Sequence, residues 1–268
     1  MEVIFFVLLF ILGACFGSFL CCQTRRLHYQ VTHKKNSRKL SSRSLCLSCK
    51  HRLKWYENIP IFSWLFLRGK CRKCGKPIGA LEILSEIGVA LAFVAIGTTI
   101  DISTADALSW ATFIVTLLLT LILSFLAIYD GAYGELPTKY LAISILLALT
   151  ALALEQFAIL IIFPFTPSVV LAPLASVIIL GGLYLALYLV SNGKWVGDGD
   201  WLLGTAIGLA LADPWLALIA LFIANFLACL FIIPTAKKSK RRRVHFGPFM
   251  VIAFVITYTF SGFFLSLL

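Results

Sequence analysis

The chain has 268 residues, of which 60% are hydrophobic and 13% charged, with a mean hydropathy of +0.97. Soluble domains seldom exceed about half apolar residues, so the composition excludes a water-soluble globular fold. The net charge of +11 would suit nucleic acid if the bases covered one surface. Instead, 15 of the 23 Lys and Arg lie between Arg25 and Lys76 and six between Lys237 and Arg243. That clustering marks loops kept on the cytoplasmic side of a membrane, and it argues against a nucleic-acid partner.

The first apolar run, residues 3–22, can cross a hydrocarbon core of about 30 Å. Glu2 precedes it and the bases follow it, so it reads as a retained first helix and not as a removed targeting peptide. A polar, basic region of nearly sixty residues comes next. Further runs are expected at 83–100, 108–129, 140–163, 168–190, 201–212, 215–234 and 248–268. Glu155 interrupts the fourth of the eight runs and is expected near its outer end. The sixth is short, but counting it puts all 23 bases on the cytoplasmic side and leaves Asp101, Asp106 and Asp213 outside. A seven-span topology would put the last basic cluster outside. The expected fold is therefore all-α, a polytopic membrane protein with about eight transmembrane helices and a small cytoplasmic loop domain.

That loop carries Cys46-x2-Cys49 and Cys71-x2-Cys74. Paired knuckles at this spacing suit a structural zinc ion held by four thiolates, with Gly75 at the tight turn and nearby Lys and Arg favouring the thiolates. A cytoplasmic loop is kept reduced, which disfavours two disulfides. Cys15, Cys21, Cys22 and Cys229 lie in apolar runs and read as buried packing residues.

Ionisable groups at membrane depth call for an explanation. Asp130 ends the third run and Asp200 begins the sixth, both at the cytoplasmic boundary. Two carboxylates brought together beside a low-dielectric wall can share one proton, one acting as base toward water and the other as acid. The competing reading is a pair of solvated helix caps, with Asp200 as an N-cap. Asp198 rivals Asp200 by spacing, and Glu135, Glu82 and Glu86 lie near the same boundary.

Five ordered motifs make the chain resemble the type IV prepilin peptidase family of GxGD membrane proteases over nearly its whole length. These are Gly17-Ser18-Phe19-Leu20, the Cys46–Gly75 loop with Asn58-Ile59-Pro60, Ser63-Trp64 and Arg68-Gly69-Lys70-Cys71, then Asp130-x6-Pro137, Gly197-x-Gly199-Asp200 and Phe246-Gly247-Pro248-Phe249. The resemblance implies that Asp130 and Asp200 are the catalytic pair and places Asp198 at a variable position. It implies prepilin or pseudopilin substrates, cleavage at the inner boundary of a bacterial cell membrane, and association with pilus or secretion machinery. It also implies N-methylation of the new N-terminus from S-adenosylmethionine, with determinants in the N-terminal region that includes Gly17, Ser18, Arg26 and the zinc loop. No Rossmann fingerprint for that cofactor is present. Glu86 is a candidate neighbour for the cationic sulfonium, the alternative being an interfacial acid paired with a loop Lys or Arg. Thr138, Leu202, Cys21 and Cys22 depart from the family pattern, the last two in the region linked with methyl transfer. The expected division is residues 1–100, with two spans and the metal loop (23–80), and residues 101–268, the peptidase part. The rival classes are an ion- or proton-coupled transporter using Asp130 and Asp200, and a non-enzymatic anchor docking a partner through the zinc loop.

Overall fold

Helices supply nearly all the regular structure, and the described residues hold only two isolated β-bridges. The structure is a computed structural model that describes residues 2–32, 44–46, 48–162, 168–236 and 245–267. Six helical stretches are long and apolar enough to cross a membrane: Glu2–Thr32, Ala80–Gly97, Ala107–Tyr133, Thr138–Phe157, Val170–Ser191 and Pro214–Phe231. The expected sixth and eighth runs are two shorter apolar helices, Asp200–Leu211 and Gly247–Thr259. The all-α, multi-pass reading with about eight membrane helices holds. The basic cluster Lys237–Arg243 lies outside the described residues.

Several boundaries differ from the sequence expectation. Helix α1 (Glu2–Thr32) runs ten residues past the apolar stretch. Polar side chains do not end a helix; a breaker does, and none occurs there. Helix α4 (Ala107–Tyr133) likewise continues through Asp130, placing that residue in a helical turn and not in a loop. It stops at Gly134, whose φ of 70° and N–H to the Asp130 carbonyl at 2.7 Å form a left-handed C-cap. At its other end Asp106 accepts the Ser109 N–H at 2.9 Å, an N-cap. Helix α5 (Thr138–Ile162) passes straight through Glu155. The last run breaks at Phe260 into α10 (Gly247–Thr259) and α11 (Ser261–Ser266). Cys15 and Cys229 are exposed on their helices, not buried, while Cys21 is buried.

The chain divides into two compact units, Met1–Val94 and Ala95–Leu268. In the first, α1 crosses α3 (Ala80–Gly97) through a Gly13-x3-Gly17 stripe. A Cβ at Gly13 would fall 2.7 Å from Ala90 Cα, and one at Gly17 2.7 Å from Glu86 Cα. Lipid is as apolar as leucine, so close backbone packing of small residues, not hydrophobic burial, holds such helices together.

The second unit is built around α8 (Asp200–Leu211), which packs against α5, α7 (Leu183–Ser191), α10 and the α6 (Ser168–Val177) segment. Gly204 and Gly208 bring it against the backbone near Leu180 and Ser176, with virtual Cβ contacts of 2.9 Å, and Ser176 Oγ donates to the Gly208 carbonyl at 2.7 Å. Between α6 and α7 the helix widens into a π turn, Ile178–Gly182, which seats Gly181 on Thr205. Leu203 and Ile207 are buried in this core with Leu119, Leu123, Leu126 and Phe254. The tight surround explains how twelve residues form an inner helix that ends at Ala212 before Asp213-Pro214 starts α9 (Pro214–Ala236).

Candidate functional site

In the first unit the four loop cysteines converge, their Sγ atoms all within 4.8 Å of one another. Cys46 and Cys74 sulfurs are 3.9 Å apart and Cys49 and Cys71 sulfurs 4.0 Å. Four ligands at about 2.3 Å from a tetrahedral centre lie about 3.8 Å from each other, so the donor set fits a metal ion and the thiols are not paired as disulfides. Each knuckle is a small turn. Cys46 N bonds His51 O and Lys50 N bonds Cys46 O; Cys71 N bonds Lys76 O and Gly75 N bonds Cys71 O. The residue after each second cysteine has positive φ, 55° at Lys50 and 68° at Gly75. The Cys49 amide, above all, holds the Cys46 thiol down to about 6. Cys74 goes the other way, to about 11: the Lys76 amide favours its thiolate, but desolvation and the three neighbouring thiols outweigh that. A cation at the centre removes this conflict among like charges.

The N-terminal candidates separate into two groups. Gly17, Ser18 and Glu86 meet where α1 crosses α3. Glu86 is buried, accepts the Ile61 N–H at 2.7 Å and is hydrogen-bonded by the Ser18 side chain. Ile61 has φ 65°, rare for a β-branched residue, so Glu86 holds a strained bend just after Asn58-Ile59-Pro60. Its partners are thus a backbone amide and a hydroxyl, not the loop Lys or Arg expected on the simpler reading. An ion pair of this region joins Arg25 to Glu82. Arg26 lies nine residues beyond Gly17, roughly 13 Å along α1, and is not brought into the Gly17–Glu86 contact. Gly17 is committed to helix packing: Gly17→Val should lower the thermal stability of the protein by several degrees in a detergent melting experiment, and an unchanged melting curve would contradict that role.

The second unit brings three motifs to one end of its helices. Asp130 is 6% exposed and Asp200 8%, while Asp198 is exposed. Asp130 Oδ2 accepts the Gly247 N–H at 2.9 Å, and its Oδ1 lies 3.8 Å from His245 Nδ1. Asp200 Oδ2 accepts the Gly197 N–H at 2.8 Å. The N-cap of α8 is Gly199, so Asp200 is the first residue of that helix and its carboxylate turns back to the preceding loop. The solvated-cap reading fails for both residues.

Contacts between the motifs are close. A Cβ at Gly199 would meet Leu136 Cβ at 2.5 Å, pressing the Gly197–Asp200 turn onto the loop that follows Asp130. A Cβ on Gly131 would lie 3.6 Å from Pro248 Cγ, and one on Gly247 2.9 Å from Asp130 Oδ2. The Phe246 ring packs on Tyr184 at 5.4 Å between centroids. Gly247 and His245 were missed as functional neighbours. Phe246-Gly247-Pro248-Phe249 was visible as a motif, but its role became legible only when its amide was seen on Asp130.

A profile of the bacterial peptidase A24 N-terminal domain matches residues 11–100. A prepilin leader peptidase/N-methyltransferase of Aeromonas hydrophila is 32% identical over 214 residues, covering 79% of this chain and 69% of its own. Proteins of the same name from Dichelobacter nodosus and Vibrio cholerae are 28% and 30% identical, over 82% and 96% of this chain and 71% and 98% of theirs. No solved structure matches the chain. The agreement runs along almost the full length of the Vibrio relative, and on it the chain belongs to the prepilin leader peptidase/N-methyltransferase family.

Proposed function

We propose that the protein is a membrane aspartic endopeptidase that removes the basic leader of prepilins or pseudopilins and then methylates the new N-terminus. The observation that carries the peptidase half is the placement of two buried carboxylates, Asp130 and Asp200, at one end of the second unit, each held by a glycine amide. With both side chains oriented, one activates water as general base and the other protonates the carbonyl or leaving amine. A coupled pair titrates as a unit, so the roles belong to the pair.

The reading places Asp130 and Asp200 at the cytoplasmic boundary of a bacterial cell membrane, where a basic leader stays in water and the apolar prepilin helix enters lipid. Pilus or secretion machinery is the expected partner. The four thiolates hold zinc, whose closed shell leaves no position for substrate, so the ion shapes the loop. Residues 1–100 carry this loop and the methyl-transfer determinants, and residues 101–268 the peptidase. S-adenosylmethionine supplies the methyl group when bound, and Ser18 and Glu86 are the residues offered to it, since helix packing takes Gly17 and Arg26 lies further along α1. Glu86 contributes a buried negative charge toward a sulfonium.

Purified protein in detergent, given a prepilin and labelled S-adenosylmethionine, should release a shortened product that carries label. Glu86→Gln keeps an acceptor for the Ile61 N–H while removing the charge, so label should fall at least tenfold with cleavage changed less than threefold. Full cleavage by the wild type with no label transferred would refute the methyltransferase half and leave the peptidase standing.

A further inference from the structure

A cavity of about 670 Å³ opens in the second unit, away from Asp130 and Asp200. Its walls include Leu108 and Phe113 at the start of α4, and Asp130 lies 17 residues beyond Phe113, roughly 26 Å along the helix. The size suits a small ligand. Glu155 and Tyr258 stand in the wall, with Tyr258 Oη donating to Glu155 Oε1 at 3.3 Å and lying 3.5 Å from Thr116 Oγ1. Glu155 sits within α5, where a carboxylate among membrane helices needs a reason.

The other two carboxylates of the lining are already engaged by their own loops. Asp101 Oδ1 accepts from the Ser103 amide and hydroxyl, and Asp213 Oδ1 from the Trp215 and Leu216 amides. They charge the rim without forming a multidentate set, which argues against a metal ion. Among the described residues, no Lys, Arg or His lines the cavity. Leu108, Leu154 and Leu216 give it apolar wall, and Phe113 and Tyr258 add aromatic lining of the kind a cation favours.

We propose that this cavity binds an alkylammonium, its charged head at Glu155 and Tyr258 and its carbon chain along the leucines. The primary ammonium head is common to a free alkylamine and to the ethanolamine headgroup of a phospholipid. The site is independent of the peptidase reading.

The test uses the intact protein in neutral maltoside micelles and calorimetric titration with hexylammonium. Saturable binding is expected, with hexanol and hexanoate at least tenfold weaker. Glu155→Gln should weaken hexylammonium at least tenfold and Thr112→Trp, which fills the cavity, should abolish binding. Competition by dihexanoyl phosphatidylethanolamine, but not by the phosphatidylglycerol of equal chain length, would identify the lipid headgroup; without competition, the free amine is the ligand. Equal affinity for hexanol overturns the proposal. So does unchanged affinity in either variant, and Thr112→Trp decides the matter if Glu155→Gln does not fold.

Discussion

Asp130→Asn and Asp200→Asn should each lower prepilin cleavage by about a thousandfold or more, the scale of general acid–base catalysis lost from a pair that works as one. Asparagine keeps the shape of aspartate and retains an oxygen to accept the Gly247 or Gly197 N–H. Helix content, membrane insertion and metal content should therefore match the wild type. The double variant should be little worse than either single one, because removing one member already removes the shared proton. Asp198→Ala is the internal control. Its side chain is exposed, so cleavage should stay within about threefold of wild type. Quantifying the shortened product by mass spectrometry at fixed enzyme concentration reads all four. A dead Asp198→Ala beside an active Asp200→Asn would reverse the choice within the Gly-Asp-Gly-Asp run, and full activity in Asp130→Asn would remove the aspartic mechanism.

Loss of the metal should have the second large effect, and a different one. Structural zinc in zinc-finger peptides binds with apparent energies of about 10–16 kcal/mol near neutral pH, and that energy is folding energy. Among the described residues, 44–46 and 48–78 contain two knuckles, two bridged pairs and two short helical turns, Trp55–Asn58 and Phe62–Phe66, but no strand, so only short elements of their own hold them. Replacing Cys46 and Cys49 with Ser should reduce bound zinc from one per chain to none, measured by plasma mass spectrometry. It should also open this loop to limited proteolysis at low protease. Acidification should release the metal as well, since protons compete for the thiolates. Helical signal from the second unit should persist, because its core residues lie between Leu119 and Phe254. A variant that loses zinc yet shows wild-type protease resistance and cleavage would deny the ion its structural role.

The two effects test different layers of one chain. Asp130 and Asp200 are held by glycine amides, one distant in sequence and one local, so asparagine changes chemistry with little change in shape. The knuckles converge on one point that four thiolates fit for an ion, so serine is expected to change shape first, with activity following.

The reach of the sequence was set by the range of each physical effect. Apolar run length decides membrane insertion, so the spans were readable and their number held. Ligand spacing within each knuckle is covalently short, so Cys46, Cys49, Cys71 and Cys74 could be assigned as a set before their sulfurs were seen together. Burial and partner choice depend on packing between segments distant in sequence. Only the tertiary structure could separate buried Asp200 from exposed Asp198, two residues apart. It also drew Gly247 from 117 residues away onto Asp130. Glu86 went to the Ile61 amide, where sequence offered a sulfonium or a basic side chain. Helix ends were misjudged wherever polarity was taken as a stop, at Thr32 and Tyr133, because polar residues continue a helix until a breaker or a cap such as Gly134 intervenes. Composition and short-range spacing determined that this is a multi-pass membrane protein with a four-thiolate loop. Which carboxylates are buried, and which amides hold them, was decided by the close crossing of helices at small residues, a property of pairs that no single segment carries.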